Sequence, residues 1–156
     1  FERAIALRPD RSEYRANYGV VLMEMGRRDE GLAALRYRIA DNPRDFGARR
    51  NFALALIQDG RPAEAITELE SVLRMQPDWV PALDTLGQAY LMAGRVESAV
   101  GAFRRAITAS PKDPIAHLGL GRAYLAGGGG PAARAQIAIL ETIDPGLAAR
   151  VAQEFQ

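Results

Sequence analysis

The 156-residue sequence predicts an all-α fold assembled from repeated helix–turn–helix units, and three observations carry that prediction. Pro9, Pro43, Pro77, Pro111 and Pro145 are each 34 residues apart. They sit in similar phrases: Leu-Arg-Pro-Asp at 7–10, Asp-Asn-Pro-Arg at 41–44, Met-Gln-Pro-Asp at 75–78, Ala-Ser-Pro-Lys at 109–112 and Ile-Asp-Pro-Gly at 143–146. Gly26, Gly60, Gly94 and Gly128 recur with the same spacing, midway between the prolines. Small residues form two further rows, Gly19, Ala53, Gly87, Gly121 and Gly31, Ala65, Ala99, Ala133. Self-similarity of this length is the mark of stacked supersecondary units, each of which needs a neighbour to cover its apolar face.

Counting from the proline turn places full units at 12–45, 46–79, 80–113 and 114–147. The first half of each reads as an amphipathic helix. In the third unit Leu83, Leu86, Gly87 and Tyr90 fall at i, i+3, i+4 and i+7 on one face. The second half gives Ala99, Phe103, Ala106 and Ile107 on one face of a second helix. The glycine between the halves can take the left-handed conformation that closes a helix, and the polar residues after it open the next. Proline ends the second helix because it lacks an amide hydrogen and disfavours helix in the residue before it. The small residues mark where two helix backbones approach closely.

The ends differ from the middle. Residues 1–11 align with the close of a unit, Phe1 matching Leu35, Leu69 and Phe103, so the chain is expected to open inside a second helix. The apolar face of that helix, Phe1 and Ile5, invites end-to-end self-association. The fourth unit is expected to loosen at Gly127–Gly130, a floppy turn before an Ala-rich helix at Pro131–Ile143. Residues 148–156 are expected to form a capping helix, with Leu147, Val151 and Phe155 inward and Arg150, Gln153 and Glu154 outward. That places Gln156 at or near a natural terminus.

Composition removes several function classes. Twenty basic and nineteen acidic residues give a net charge of +1, against the basic excess of a general polyanion binder. With no cysteine there is no disulfide, thiolate metal site or cysteine nucleophile. No apolar run approaches the ~20 residues of a membrane-spanning helix, so direct membrane insertion is not expected. Nineteen of the basic residues are Arg and only Lys112 is Lys, with 28 Ala, a bias that reads as GC-rich, bacterial codon usage. Bacterial cytoplasm and periplasm both fit, and the sequence leaves the compartment open.

The period, the Leu83, Leu86, Gly87, Tyr90, Gly94, Ala99, Phe103, Ala106, Pro111 series of the third unit and its echoes elsewhere resemble the tetratricopeptide repeat. The resemblance covers essentially the whole chain and implies a right-handed α–α superhelix with first helices lining its concave side. Arg15, Arg49 and His117 depart from the pattern, standing where the family places a large apolar residue. Arg38 stands at a small-residue position, and these departures are expected to weaken individual interfaces.

Catalytic chemistry is hard to find. The four glycines 127–130 lack both the Gly-Lys-Ser/Thr and the preceding strand of a phosphate loop. His117 is the only histidine, cannot form a paired metal site and lies on a core face. Glu64, Glu68, Glu70 and Glu97 read as solvated helix surfaces and helix starts, and no nucleophile elbow is present. The chain is therefore read as no enzyme, with no cofactor and no metal.

The first-helix positions beside the core stripe form the face toward the groove. They supply the candidate partner-binding residues Asn17, Val20, Arg50, Asn51, Leu54, Asp84, Gln88, Met92 and Arg122. Asn17 and Asn51 stand one period apart. Side-chain amides in a row can hold the backbone of an extended peptide, an arrangement similar to the asparagine ladder of O-linked GlcNAc transferases; the alternative is ordinary solvent-facing Asn. The carboxylate clamp of chaperone-binding family members is disfavoured, because Pro81 and Thr85, or Ile115 and Gly119, replace its basic residues and only Asn51 matches. Residues 1–61 carry +3 and 62–113 carry −2. Arg36, Arg38, Arg44, Arg49 and Arg50 read as solvated surface, with an acidic-partner patch as the alternative. Nucleic acid is not expected without aromatic interleaving.

The resulting expectation is a non-catalytic scaffold binding a protein or extended peptide in a concave groove. Two rivals remain: a substrate-recruiting arm of an enzyme whose catalytic domain lies outside the chain, and a module that self-assembles through its open N-terminal end.

Overall fold

The computed structural model describes residues 12–155, with side chains from Tyr18 onward. Phe1, Ile5, the rest of the half-unit at 1–11 and the side chains of Arg15 and Asn17 lie outside the described residues. Among the described residues nine α-helices follow one another: α1 Ser12–Glu24, α2 Arg28–Asp41, α3 Phe46–Gln58, α4 Pro62–Met75, α5 Val80–Met92, α6 Val96–Ala109, α7 Pro114–Ala126, α8 Gly130–Ile143 and α9 Pro145–Val151. A 3-10 turn, Ala152–Phe155, closes the series. The chain forms two compact units, Phe1–Val72 and Leu73–Gln156.

Every hairpin turn is built alike. Gly26, Gly60, Gly94 and Gly128 have φ between 71° and 78°, which only glycine takes without strain. The residue after each glycine sends its amide back five residues: Arg27 to Leu22, Arg61 to Leu56, Arg95 to Tyr90 and Gly129 to Tyr124, at 2.8–2.9 Å. The glycine amides themselves reach Met23, Ile57, Leu91 and Leu125 at 3.0 Å. This is the paired Schellman closure, which satisfies carbonyls the helix end would otherwise leave open. The run at 127–130 obeys the same geometry, so the expected loosening is absent: Gly127 caps α7, Gly128 turns and Gly130 already belongs to α8.

The opposite turns use proline, and all but the one before α5, where Trp79 makes no side-chain cap bond, add an Asp cap. Asp45 accepts the amide of Ala48 at 2.9 Å, and Asp113 those of Ile115 and Ala116 at 2.9 and 3.0 Å. At the fourth turn the pattern shifts. Asp144 takes the cap position by accepting the Leu147 amide at 2.8 Å, and Pro145 becomes the first helical residue, where its missing amide costs nothing. The last helix therefore starts three residues before the expected 148 and ends in a tighter turn.

Within the first unit α1 packs on α2 and α2 on α3; within the second α5 pairs with α6, α6 with α7, α7 with α8 and α8 with α9. The small rows set the closeness of these pairs. A Cβ on Gly31 would stand 2.8 Å from the carbonyl oxygen of Gly19. In the second unit the Phe103 ring, fully buried, lies against both Gly87 and Gly119, and a Cβ on either would overlap it. The final segment continues this logic. Ala148, Val151 and Phe155 bury against Ile137 and Leu140, with Arg150, Gln153 and Glu154 outward.

Two glycine substitutions separate packing from helix propensity. Gly119→Ala should destabilise by about 2 kcal/mol, because the pinned Phe103 ring has nowhere to go. Gly101→Ala in α6, where a Cβ meets nothing within 4 Å, should stabilise by about 1 kcal/mol. Urea unfolding of both variants checks the pair of signs.

Candidate functional site

The first-helix face behaves differently in the two units. In the first, Val20 on α1 and Arg50, Asn51 and Leu54 on α3 are half-buried. Val20, Asn51 and Leu54 come together around one pocket of about 110 Å³ between α1 and α3. Its floor is apolar: Val20, Met23, Leu54, Ala55 and, from α2 below, Leu35. Its lip carries Glu24, Asn51 and Gln58. None of these three polar side chains is engaged by another group among the described residues. Asn17 shares helix α1, but its side chain lies outside the described residues.

In the second unit the corresponding face is partly closed. Asp84, expected on the groove, is 6 % exposed and Thr85 beside it 1 %. The correction has a simple cause. Residues 82–87 of α5 are all buried, so this helix is covered on more than one face and the residue beside the stripe goes inside with it. Gln88 is exposed and Met92 is 55 % exposed. Arg122 is exposed but engaged: Nε and Nη2 each donate to the Glu154 carboxylate at 2.8 Å. That bond holds the Glu154 pKa below the usual carboxylate value and raises that of Arg122. The last turn of the chain thus occupies a cation that the sequence assigned to a partner.

Sequence reasoning missed Met23, Leu35 and Ala55, because helical period assigns them to the core. A signal did exist. The column Leu35, Leu69, Phe103, Ile137 differs in bulk, and the pocket lies over Leu35.

Two larger crevices lie between successive second helices. In the first unit Ile39, Phe52 and Leu56 form the base of one of about 260 Å³, with Arg36, Glu64 and Glu68 on its walls. In the second Ile107, Leu120 and Tyr124 underlie one of about 420 Å³, with Arg104, His117 and Gln136 above. Their polar groups are committed to each other. Arg36 stacks 5.4 Å from the Phe52 ring centroid, and Arg104 donates to the Tyr124 hydroxyl at 2.8 Å. Arg49 donates to Glu68 at 2.8 Å and to the carbonyl of Pro43 at 2.8 Å. Two repeats along, His117 repeats the motif: Nε2 donates to the carbonyl of Pro111 at 3.0 Å and Nδ1 pairs with the Gln136 side-chain amide at 2.9 Å. The buried His117, 4 % exposed, is therefore a structural strut.

The departures at Arg49, His117 and Arg38 each come with a matched partner, against the expected weakening. Arg38 binds Asp45 at 2.6 and 2.8 Å with its own side chain 13 % exposed. Burial alone would raise the Asp45 pKa; the bonds from the Ala48 amide and Arg38 outweigh it and hold the carboxyl below its usual value.

The arrangement resembles known proteins. A family model of the tetratricopeptide repeat matches residues 19–78 and 85–148. Among solved structures, PilW, a type IV pilus biogenesis factor, is 24 % identical with a TM-score of 0.80, covering 94 % of this chain and 68 % of its own. A thermophilic repeat protein of Thermus thermophilus is 21 % identical with a TM-score of 0.77, covering 86 % and 75 %. YrrB, described as having an unusual peptide-binding site, is 15 % identical with a TM-score of 0.75, covering 98 % and 79 %. No curated protein matches the chain by sequence. Among the described residues no helix is long and apolar enough to cross a membrane.

Two measurements test the polar struts. Glu68→Ala should cost about 1–2 kcal/mol by leaving Arg49 half-buried without its carboxylate. Adding Arg49→Leu, which copies the Leu83 and Ala102 of the third repeat, should recover most of that loss; a double variant no better than the single one would contradict it. Asp45, with its folded pKa depressed below the unfolded value of about 3.9, contributes stability that is complete above that value and is lost as pH falls through the folded one. The stability difference between the wild type and Asp45→Asn should therefore be largest near pH 7 and shrink toward pH 2 in urea titrations.

Proposed function

The chain belongs to the tetratricopeptide repeat family, and we propose that it is a non-catalytic protein-interaction scaffold. Its binding site is the cleft between α1 and α3, which receives an extended peptide segment of a partner protein. The observation that carries this reading is the contrast between the two kinds of surface. The outer crevices spend their guanidinium, imidazole, amide and carboxylate groups on internal bonds, whereas Asn51 and Gln58 stand uncommitted at the lip of an apolar pocket.

Each amide offers two donors and one acceptor. A peptide backbone, with one donor and one acceptor per residue, satisfies them without regard to sequence. Val20 and Leu54 supply the apolar area beneath. In the second unit, Gln88 and Met92 are accessible, whereas Arg122 is engaged by Glu154.

Panning a displayed random-peptide library against the full chain tests the assignment. Selected peptides should bind Asn51→Ala about fivefold more weakly, the equivalent of roughly 1 kcal/mol for one hydrogen-bonding amide. Leu54→Glu should lose them by more than tenfold, and Glu141→Ala on exposed α8 should bind unchanged, all at equal far-ultraviolet helicity. Peptides that bind all three variants alike would remove the cleft as the site.

A further inference from the structure

The pocket between α1 and α3 has an internal comparison. Its floor residue Leu35 corresponds by two full periods to Phe103, and Gly19 and Asn51 correspond to Gly87 and Gly119. In the second unit the Phe103 ring fills the space between its two glycines. In the first unit the shorter Leu35 leaves about 110 Å³ open above it, with Asn51 at the lip. That is less than the ~150 Å³ of an apolar cavity able to hold benzene, so it suits a branched aliphatic side chain and not an indole.

Glu24 supplies a second feature. It is the only charged side chain lining the pocket among the described residues. It is the last residue of α1, at the helix end where the macrodipole disfavours a carboxylate. Its counterparts in the other repeats are Gln58, Met92 and Ala126, so the turn does not require an acid there. No ion pair engages Glu24 among the described residues. A carboxylate in this place, exposed and beside an apolar hole, is complementary to a cation brought by the ligand.

We infer that the pocket anchors one Leu, Ile or Val side chain of an extended peptide while Glu24 binds a Lys or Arg two residues along it. In an extended chain, residues i and i+2 point to the same side. One peptide face can therefore reach both the pocket and the carboxylate while its backbone meets Asn51 and Gln58. This inference rests on the proposed peptide-binding role of the cleft.

The probe is a random heptapeptide library displayed on phage and panned against the full chain. Recovered sequences should share an aliphatic residue and a basic residue two positions apart. Glu24→Gln should weaken those peptides at least fivefold, and repanning on it should lose the basic preference while keeping the aliphatic one. Leu35→Phe with Asn51→Gly should do the reverse for the aliphatic preference. This pair copies the Gly87–Phe103–Gly119 arrangement, Gly19 being already in place, and should fold.

Should that double variant fail to fold, methyl chemical shifts decide. Movement of the Met23 and Leu54 methyls of the wild type on adding a recovered peptide supports the anchor, and unmoved methyls overturn it. Peptides that are lost on Leu54→Glu but show neither preference overturn the anchor and leave the cleft standing. Peptides indifferent to Leu54→Glu, or no recovered peptide at all, overturn both.

Discussion

Everything in each unit depends on how closely the two helices of a hairpin approach. Where Gly19 faces Gly31 there is no room for a Cβ, since one placed on Gly31 would stand 2.8 Å from a backbone oxygen. With the backbones this near, the large side chain of the second helix projects past its own partner and reaches the first helix of the following hairpin. Phe103 does so fully, ending against Gly119. The small-residue row thus governs more than one hairpin: it determines what the next hairpin may carry at that station. Burial of these side chains, at roughly 25 cal/mol per Å² of apolar surface, is the main force holding successive hairpins together.

The polar departures from the repeat follow a comparable rule. A proline turn exposes a carbonyl that no helix amide reaches, and a side-chain donor takes it. Arg49 satisfies Pro43, Arg105 satisfies Pro77 at 2.9 Å and His117 satisfies Pro111. Where the donor sits early in the first helix, its remaining hydrogen-bonding capacity is met from the following second helix by Glu68 or Gln136. Where that station is Leu83, the facing residue is the small Ala102, and the donor comes from elsewhere. Charged residues at core stations are therefore tolerated as sets, and swapping one member alone leaves the others exposed to the cost of burial.

Much of the fold was legible because it follows from local rules. The glycine row could be read as left-handed turns since φ near +75° is restricted mainly to glycine, and the four-glycine run obeys the same rule without loosening. The start of α9 was misplaced because an Asp-Pro pair can end one helix or open the next. Asp144 chose the latter by capping Leu147. The site was less legible. Helical period ranks Asp84 and Asn51 as near-equivalent neighbours of the core stripe, yet one is buried and the other stands at an open pocket.

By itself the sequence determined the repeat length, the all-α class, the positions of the turns and the family resemblance, because each rests on backbone constraints that glycine and proline impose within a few residues. Only the tertiary structure decided which of the candidate side chains are exposed and unengaged. Arg122 is claimed by Glu154, thirty-two residues away. The pocket beside Asn51 is floored by Leu35, from another helix, where a phenylalanine stands two repeats later and lies against two glycines. Availability is a property of the space left between side chains from different helices, and that space is not encoded at any single position.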